Sequence, residues 1–294
     1  MLLRIDFGGS GQMQRRTIGR CLKVSGTGLH SGLPSTVILE PSTSGAGISI
    51  RFKDGPSQSI ETLMIGATDR CTRVETADGR SIDTIEHLMA SLAIAGVTDI
   101  VLEFDCLEAP ILDGSAIEWV LAIERAGLVD IGGPAPILQI RRPFEFSIRG
   151  SHYSAEPGPL SLDVSIDFPG TPIGFQAISV AGSSLRSLAD SRTFVLEHEI
   201  AALRNHGLAL GGGLHNAVVI GHEGPLNDSG FRHVDECVRH KALDLVGDLR
   251  LAGGQIIGAI RAHKPGHAAT GAFLKAMFAE GVIARPADLN RLAA

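Results

Sequence analysis

Two histidines and several carboxylates stand at spacings suited to metal-assisted hydrolysis. In the stretch 235–248, His240, Asp244 and Asp248 recur every four residues. On a helix they would share one face. An imidazole nitrogen and a carboxylate oxygen one turn apart can point at a single metal ion. That donor pair suits zinc, and iron and manganese also accept it. The same pattern describes a solvated helix face with an i, i+4 ion pair. Glu86-His87 is the second fragment. An acid beside a metal-binding His can act as general base toward water. Its competing reading is structural, with Asp83 as an N-cap and Glu86 as its capping-box partner. His267 closes the run His263-Lys-Pro-Gly-His267 at the mouth of a helix. There an imidazole that titrates near neutrality could serve as general acid or simply begin the helix. Thr193, in Ser191-Arg-Thr-Phe194, could support an oxyanion or cap an element. Gly211-Gly-Gly213 lacks the following Lys-Ser/Thr of a phosphate loop.

The elements that must position these groups read as strands, then helices, in each half. Residues 34–40 and 47–52 are short, β-branched and bounded by turn formers, and predict strands. Residues 84–96 place Ile85, Leu88, Met89 and Leu92 at helical spacing, with Gly96 as the stop. A strand is expected at 99–104, a turn at 109–115, and a second helix running to about Gly127. Residues 130–136, rich in Gly and Pro, are the linker candidate. Strands are then expected at 137–148, 160–168 and 255–260, and helices at 195–206, 235–252 and 267–281. Strands followed by helices are the signature of an α+β fold rather than a parallel βαβ sheet.

Composition bounds the function. The 294 residues are 44% hydrophobic and 20% charged, which supports a packed core. A net charge of −6 leaves no basic footprint for nucleic acid. Cys21, Cys71, Cys106 and Cys237 form no C-x-x-C pair, against both a disulfide framework and a thiolate zinc site. The N-terminal stretch has no long apolar core of a signal peptide, and no apolar run is long enough to span a membrane. A cytoplasmic protein without an integral membrane segment is expected.

Taken in order, the fragments resemble one family. The carriers are Gly26-x-Gly-Leu-His-Ser-Gly32, Thr84-Ile-Glu-His-Leu-Met-Ala-Ser-Leu92, Glu108-Ala-Pro-Ile-Leu-Asp-Gly-Ser-Ala116, Ser191-Arg-Thr-Phe194, Asp235-Glu-x-Val-Arg-His-Lys-x-Leu-Asp-x-x-Gly-Asp-Leu249 and Lys264-x-Gly-His267. Together they look like the UDP-3-O-acyl-N-acetylglucosamine deacetylases, zinc enzymes acting early in lipid A synthesis in Gram-negative bacteria. The resemblance runs from about Arg16 to Phe278. It implies two similar α+β domains, 1–132 and 133–294, with helices sandwiched between two β-sheets and the active site at the domain junction. It implies one Zn2+ per chain on His87, His240 and Asp244. Glu86 would be the general base and His267 the general acid, oriented by Asp248. Thr193 and Lys241 would support the developing charge. The acylated UDP-sugar would meet Asp167 and Phe168 with its uracil, Phe194 with its sugar and Lys264 with its pyrophosphate. Ile200, Leu214 and Val219 would line the acyl passage. A monomer is expected. The sequence departs from the family pattern at Val195-Leu196, His215, Pro265 and Cys237. Two other readings stay open: a paralogue acting on another N-acetylated sugar, and a catalytically weak zinc protein serving as a regulatory partner.

Overall fold

In the computed structural model, which describes residues 13–53, 55–66 and 70–285, the two runs expected near the N-terminus form the strands Pro34–Pro41 and Ile48–Phe52. Val37, Leu39, Ile48, Ile50 and Phe52 alternate along them and are buried, so one face of each strand meets the core. They belong to a five-stranded sheet in the order Leu22–Thr27, Pro34–Pro41, Ile100–Phe104, Ile48–Phe52, Gln58–Ser59. Neighbours are antiparallel except Ile48–Phe52 beside Ile100–Phe104. The second half repeats this arrangement. Its sheet runs Phe144–Ile148, Ser151–Glu156, Ala259–His263, Ser161–Phe168, Gly174–Ala181. Here too one pair is parallel, Ser161–Phe168 beside Ala259–His263, at the equivalent place. Identical order and direction make the halves two similar α+β units, as expected.

The helices follow the same repeat. Helices α1 (Glu86–Ala95) and α2 (Ile117–Ala126) flank the last strand of the first sheet, and α3 (Ile200–Asn205) is a short insertion. Helices α4 (Glu236–Arg250) and α5 (His267–Ala279) flank the last strand of the second sheet. The most extensive helix contact is α1 against α4, the equivalent helices of the two halves. Every residue of α1 is buried, and so is every residue of α4 except Arg239 and Lys241. A helix covered all round lies inside a layer rather than on it. One apolar cluster runs through both halves. The two backbones approach closely at Gly247, where a β-carbon would fall 2.0 Å from the Glu86 carbonyl oxygen. Among the described residues no helix is long and apolar enough to cross a membrane.

Four expectations change. Residues 130–134 of the expected linker belong to the strand Leu128–Pro134, which pairs antiparallel with Gln14–Ile18. Gly132 and Gly133 take positive φ of 74° and 80° there, a bend in a strand rather than a break in the chain. Residues 137–148 are two strands in different sheets, Ile137–Gln139 and Phe144–Ile148, separated at Pro143, which has no N–H to give a ladder. The run 255–260 breaks at Gly258, whose β-carbon would meet the Glu156 carbonyl oxygen at 2.7 Å. The expected helix 195–206 begins late. Phe194–Leu196 pairs in parallel with Val218–Ile220, a turn of 3-10 helix covers Glu197–Glu199, and only then does α3 start. The aromatic and branched side chains of 194–196 favour a pleated surface once a partner strand is present.

Gly247→Ala should lower the free energy of unfolding by about 1–3 kcal/mol, because an added methyl must push two packed backbones apart. Urea denaturation measures it, and an unchanged midpoint contradicts the close approach.

Candidate metal and catalytic centre

The entry to α1 is not a capping box. The helix starts after Ile85 with no side-chain cap. Asp83 instead receives two hydrogen bonds from Arg73, at 2.5 and 2.7 Å. Thr84 sits at φ 58° and its hydroxyl donates to Glu108 Oε1 at 3.1 Å. A left-handed threonine is costly and persists only where its surroundings hold it. The turn sends Glu86 and His87 inward toward α4, where each is 4% exposed. Glu86 Oε2 accepts the Thr72 N–H at 3.0 Å.

The α4 stripe is likewise not a solvated face. His240, Asp244 and Asp248 are each 3% exposed. His87, His240 and Asp244 converge on one point. Asp244 Oδ1 lies 3.4 Å from His240 Nε2 and 3.5 Å from His87 Nε2. It has no hydrogen-bond partner among the described residues. Ligand atoms about 2.0–2.1 Å from a tetrahedral ion lie roughly 3.3 Å apart, close to both spacings. His240 Nδ1 donates to the Ser191 carbonyl at 3.2 Å, which leaves Nε2 as the lone-pair nitrogen. Burial lowers the His240 pKa to about 3, outweighing the attraction of Asp244, so the ring is a neutral donor. Burial would raise the Asp244 carboxyl, but His240, Lys241 and His267 hold it well below the usual range. Lys241 Nζ donates to Asp244 Oδ2 at 2.6 Å and stays charged despite burial. Two imidazoles and an ionised carboxylate with one bare oxygen fit a divalent transition-metal ion.

His267 begins α5. The preceding loop brings Lys264 to φ 52° and then Gly266 to the N-cap. His267 Nδ1 lies 3.1 Å from Asp248 Oδ2. Nε2 faces Asp244 Oδ2 at 3.7 Å and Glu86 Oε1 at 3.9 Å. Burial pushes the His267 pKa down, but Asp248, Glu86 and Asp244 together lift it to about 9. Burial raises Glu86 above the ordinary carboxylate range, against the pull of His267 and His87. A buried acid and a buried base therefore stand within 4 Å of each other, with opposite tendencies to hold a proton.

These groups open onto a cavity of about 660 Å³ between the halves. Of the catalytic and metal candidates, Glu86, His87, Thr193, His240, Lys241, Asp244 and His267 line it. Asp248 does not; it sits behind His267. The candidate substrate residues Asp167, Phe168, Phe194, Ile200, Leu214, Val219 and Lys264 line the same space. Lys264 Nζ lies 3.0 Å from Asp167 Oδ2, and the Phe168 and Phe194 rings meet edge to face at 5.6 Å. Val195 and Pro265 also line the cavity. Cys237 is buried in α4, where desolvation pushes its thiol up to about 12. His215 is exposed and absent from the cavity wall.

The sequence reading missed Thr72, which touches three of the buried groups from a loop that carries no motif. It also missed His30 and Arg70 in the wall. His30 could have been found, because it lies in the Gly26–Gly32 motif. Glu108 holds that loop by accepting the His30 and Ser31 N–H groups at 2.7 and 2.8 Å. Thr193 is positioned through its neighbour. Arg192 donates from its backbone N–H and its Nε to Glu236 Oε1, at 3.0 and 2.8 Å, and both side chains are buried. The Thr193 backbone then bonds Gly114 and Val218, one in each direction, at 2.7 and 2.8 Å.

A three-residue cluster that could hold a metal ion, beside a buried carboxyl and a buried imidazole between two repeated α+β units, is the layout expected of a metal-dependent hydrolase. Residues 15–279 match the LpxC family, described as UDP-3-O-acyl N-acetylglycosamine deacetylase. The chain is 35% identical over 279 residues to the UDP-3-O-acyl-N-acetylglucosamine deacetylase of Neisseria gonorrhoeae, covering 91% of each chain. It is 39% identical over 257 residues to that of Syntrophotalea carbinolica, covering 85% of this chain and 83% of the relative. With the enzyme so named from Wolinella succinogenes it shares 36% over 272 residues, 90% of this chain and 91% of the other. The chain belongs to this deacetylase family.

Glu236→Gln should destabilise the protein by about 3 kcal/mol at neutral pH, since it leaves buried Arg192 without its counter-charge. Burial would raise the Glu236 carboxyl, but hydrogen bonds from Arg192 and Arg232 hold it below its ordinary value. Its stabilising effect is therefore complete above the unfolded carboxyl pKa and disappears as pH falls through the lower folded value. Denaturation curves of the two proteins should converge in acid. A constant gap from neutral pH down through the folded carboxyl pKa contradicts the assignment.

Proposed function

We propose that this chain hydrolyses the N-acetyl group of UDP-3-O-acyl-N-acetylglucosamine, giving acetate and UDP-3-O-acyl-glucosamine, as a step of lipid A biosynthesis. The observation that carries the reading is the bare Asp244 Oδ1 between two imidazole nitrogens, beside Glu86 and His267. His87, His240 and Asp244 would hold one Zn2+ per chain. When bound, the ion supplies Lewis-acid polarisation of the amide carbonyl.

The remaining work falls to side chains. Glu86 takes a proton from the water that attacks the acetyl carbon. The Thr193 hydroxyl and the Lys241 ammonium face the carbonyl oxygen as negative charge develops on it. As the C–N bond breaks, His267 Nε2 gives its proton to the leaving nitrogen. Asp248 keeps the ring oriented and favours its charged form. The water's hydroxyl ends on acetate, and the amine nitrogen gains the proton.

The substrate's parts follow the cavity wall. Uracil would lie by Asp167 and Phe168, the sugar by Phe194, the pyrophosphate by Lys264 and the acyl chain along Ile200, Leu214 and Val219. Residues 1–132 would form the domain carrying Glu86 and His87, and 133–294 the domain carrying His240 and Asp244. All the proposed groups come from one chain, so a monomer would suffice. With a nucleotide-sugar substrate and a step in lipid A synthesis, the enzyme would work in the cytoplasm of a Gram-negative bacterium.

Purified protein should release acetate from the acylated UDP-sugar and far less from the non-acylated one. Activity on neither would favour a paralogue with another N-acetylated substrate or a regulatory zinc protein. Glu86→Ala should lower kcat by about 10²–10⁴-fold, the usual worth of a general base; full turnover would remove Glu86 from that role. His240→Ala should purify with well under one metal per chain, and full metal content in that variant would refute the ligand set.

A further inference from the structure

Between Glu86 and His267 stands Thr72, 3% exposed and supplied by the first half of the chain. Its N–H donates to Glu86 Oε2 at 3.0 Å. Its hydroxyl contacts Asp248 Oδ1 and lies 3.0 Å from His267 Nδ1. An ionised carboxylate only accepts, so the hydroxyl proton goes to Asp248. The oxygen's lone pairs are then free to accept the Nδ1–H of His267. Asp248 Oδ2, 3.1 Å from the same nitrogen, lies on the same side of the ring. Both acceptors pull the Nδ1 proton away from the cavity. Nε2 is left facing Glu86 Oε1 at 3.9 Å. The backbone N–H of Thr72 meanwhile occupies Oε2 of Glu86, which leaves Oε1 to face the cavity.

We propose that Thr72 is a positioning residue that sets, from one point, which oxygen of Glu86 and which nitrogen of His267 face the reacting amide. The inference rests on the base and acid roles proposed for Glu86 and His267. The hydroxyl ties a first-half side chain to the Asp248–His267 pair of the second half at hydrogen-bond distance, closer than the 3.9 Å between Glu86 Oε1 and His267 Nε2. A base and an acid that act in sequence on one amide need a common reference point, and Thr72 is bonded to both. Among the described residues its side chain hydrogen-bonds none of the three candidate metal ligands, so its loss should leave metal binding intact.

The test compares Thr72→Val, which keeps the shape and removes the hydroxyl, with Thr72→Ser, which keeps the hydroxyl. Acetate release from the acylated UDP-sugar gives kcat and KM, and metal content and thermal unfolding are measured alongside. The expected loss in Thr72→Val is about 10–100-fold in kcat with KM within about twofold, while Thr72→Ser stays within about threefold of the parent. Proton–nitrogen NMR of histidine-labelled protein supplies a readout independent of turnover. The parent and Thr72→Ser should show a slowly exchanging His267 Nδ1–H, and Thr72→Val should lose or shift it. Parental kcat in Thr72→Val, equal losses in both variants, or a loss carried by KM would overturn the proposal. If the parent enzyme does not act on the sugar, the deacetylase reading fails, and the ring-proton signal alone then decides the positioning role of Thr72.

Discussion

The close approach of α1 and α4 at Gly247 is the constraint on which the centre depends. No side chain separates the Glu86 carbonyl from the α4 backbone there. Only at that spacing can His87, from one helix, and His240 and Asp244, from the other, reach a common point. A larger residue at 247 would separate the helices and with them the donor atoms. Glycine within a helix costs about 1 kcal/mol of intrinsic stability relative to alanine, so its presence here reflects packing rather than propensity.

Burial between two sheets then sets the electrostatics. Seven ionisable side chains of the centre, Glu86, His87, His240, Lys241, Asp244, Asp248 and His267, lie in or against the helical layer. Isolated charges in such a place would be neutralised. Charges survive there where a neighbour compensates them: Lys241 with Asp244, and His267 with Asp248 and Glu86 beside it. The cost is not evenly shared. His240 gives up its charge to burial, whereas His267, with three carboxylates around it, keeps its own. Two histidines in one layer thus differ in charge, His240 pushed toward the neutral ring and His267 toward the protonated one, as the proposed ligand and acid roles require.

The repeat explains where the chemistry lies and where it is absent. Equivalent helices α1 and α4 meet face to face, so each half supplies candidate ligands to one cluster. The second pair is unequal. Helix α5 begins with His267, whereas the matching start of α2 is Ile117, an apolar residue. Two copies of one framework therefore place an imidazole at only one of these two helix starts, the one that lines the cavity.

Much was legible beforehand. The alternation in 34–40 and 47–52, the helical spacing of 84–96, and the every-fourth-residue stripe from His240 to Asp248 are local patterns, and local sterics and side-chain periodicity determine them. The order of the family motifs likewise singled out Glu86, His87, Thr193 and His267. The tertiary structure decided what those patterns mean. Whether Glu86 caps a helix or faces a cavity depends on Arg73 drawing Asp83 away and Glu108 holding Thr84, contacts from other elements. Whether the α4 stripe is solvated or buried depends on α1, the start of α5 and the Thr72 loop, all distant in the chain. Residues 130–134 and 194–196 became strands because partners at 14–18 and 218–220 pair with their backbones. Thr72 carries no signal of its own, since its contacts lie 14, 176 and 195 residues away. Periodicity is written in the neighbours of a residue, but burial, partner and proton are set by whatever the fold brings against it.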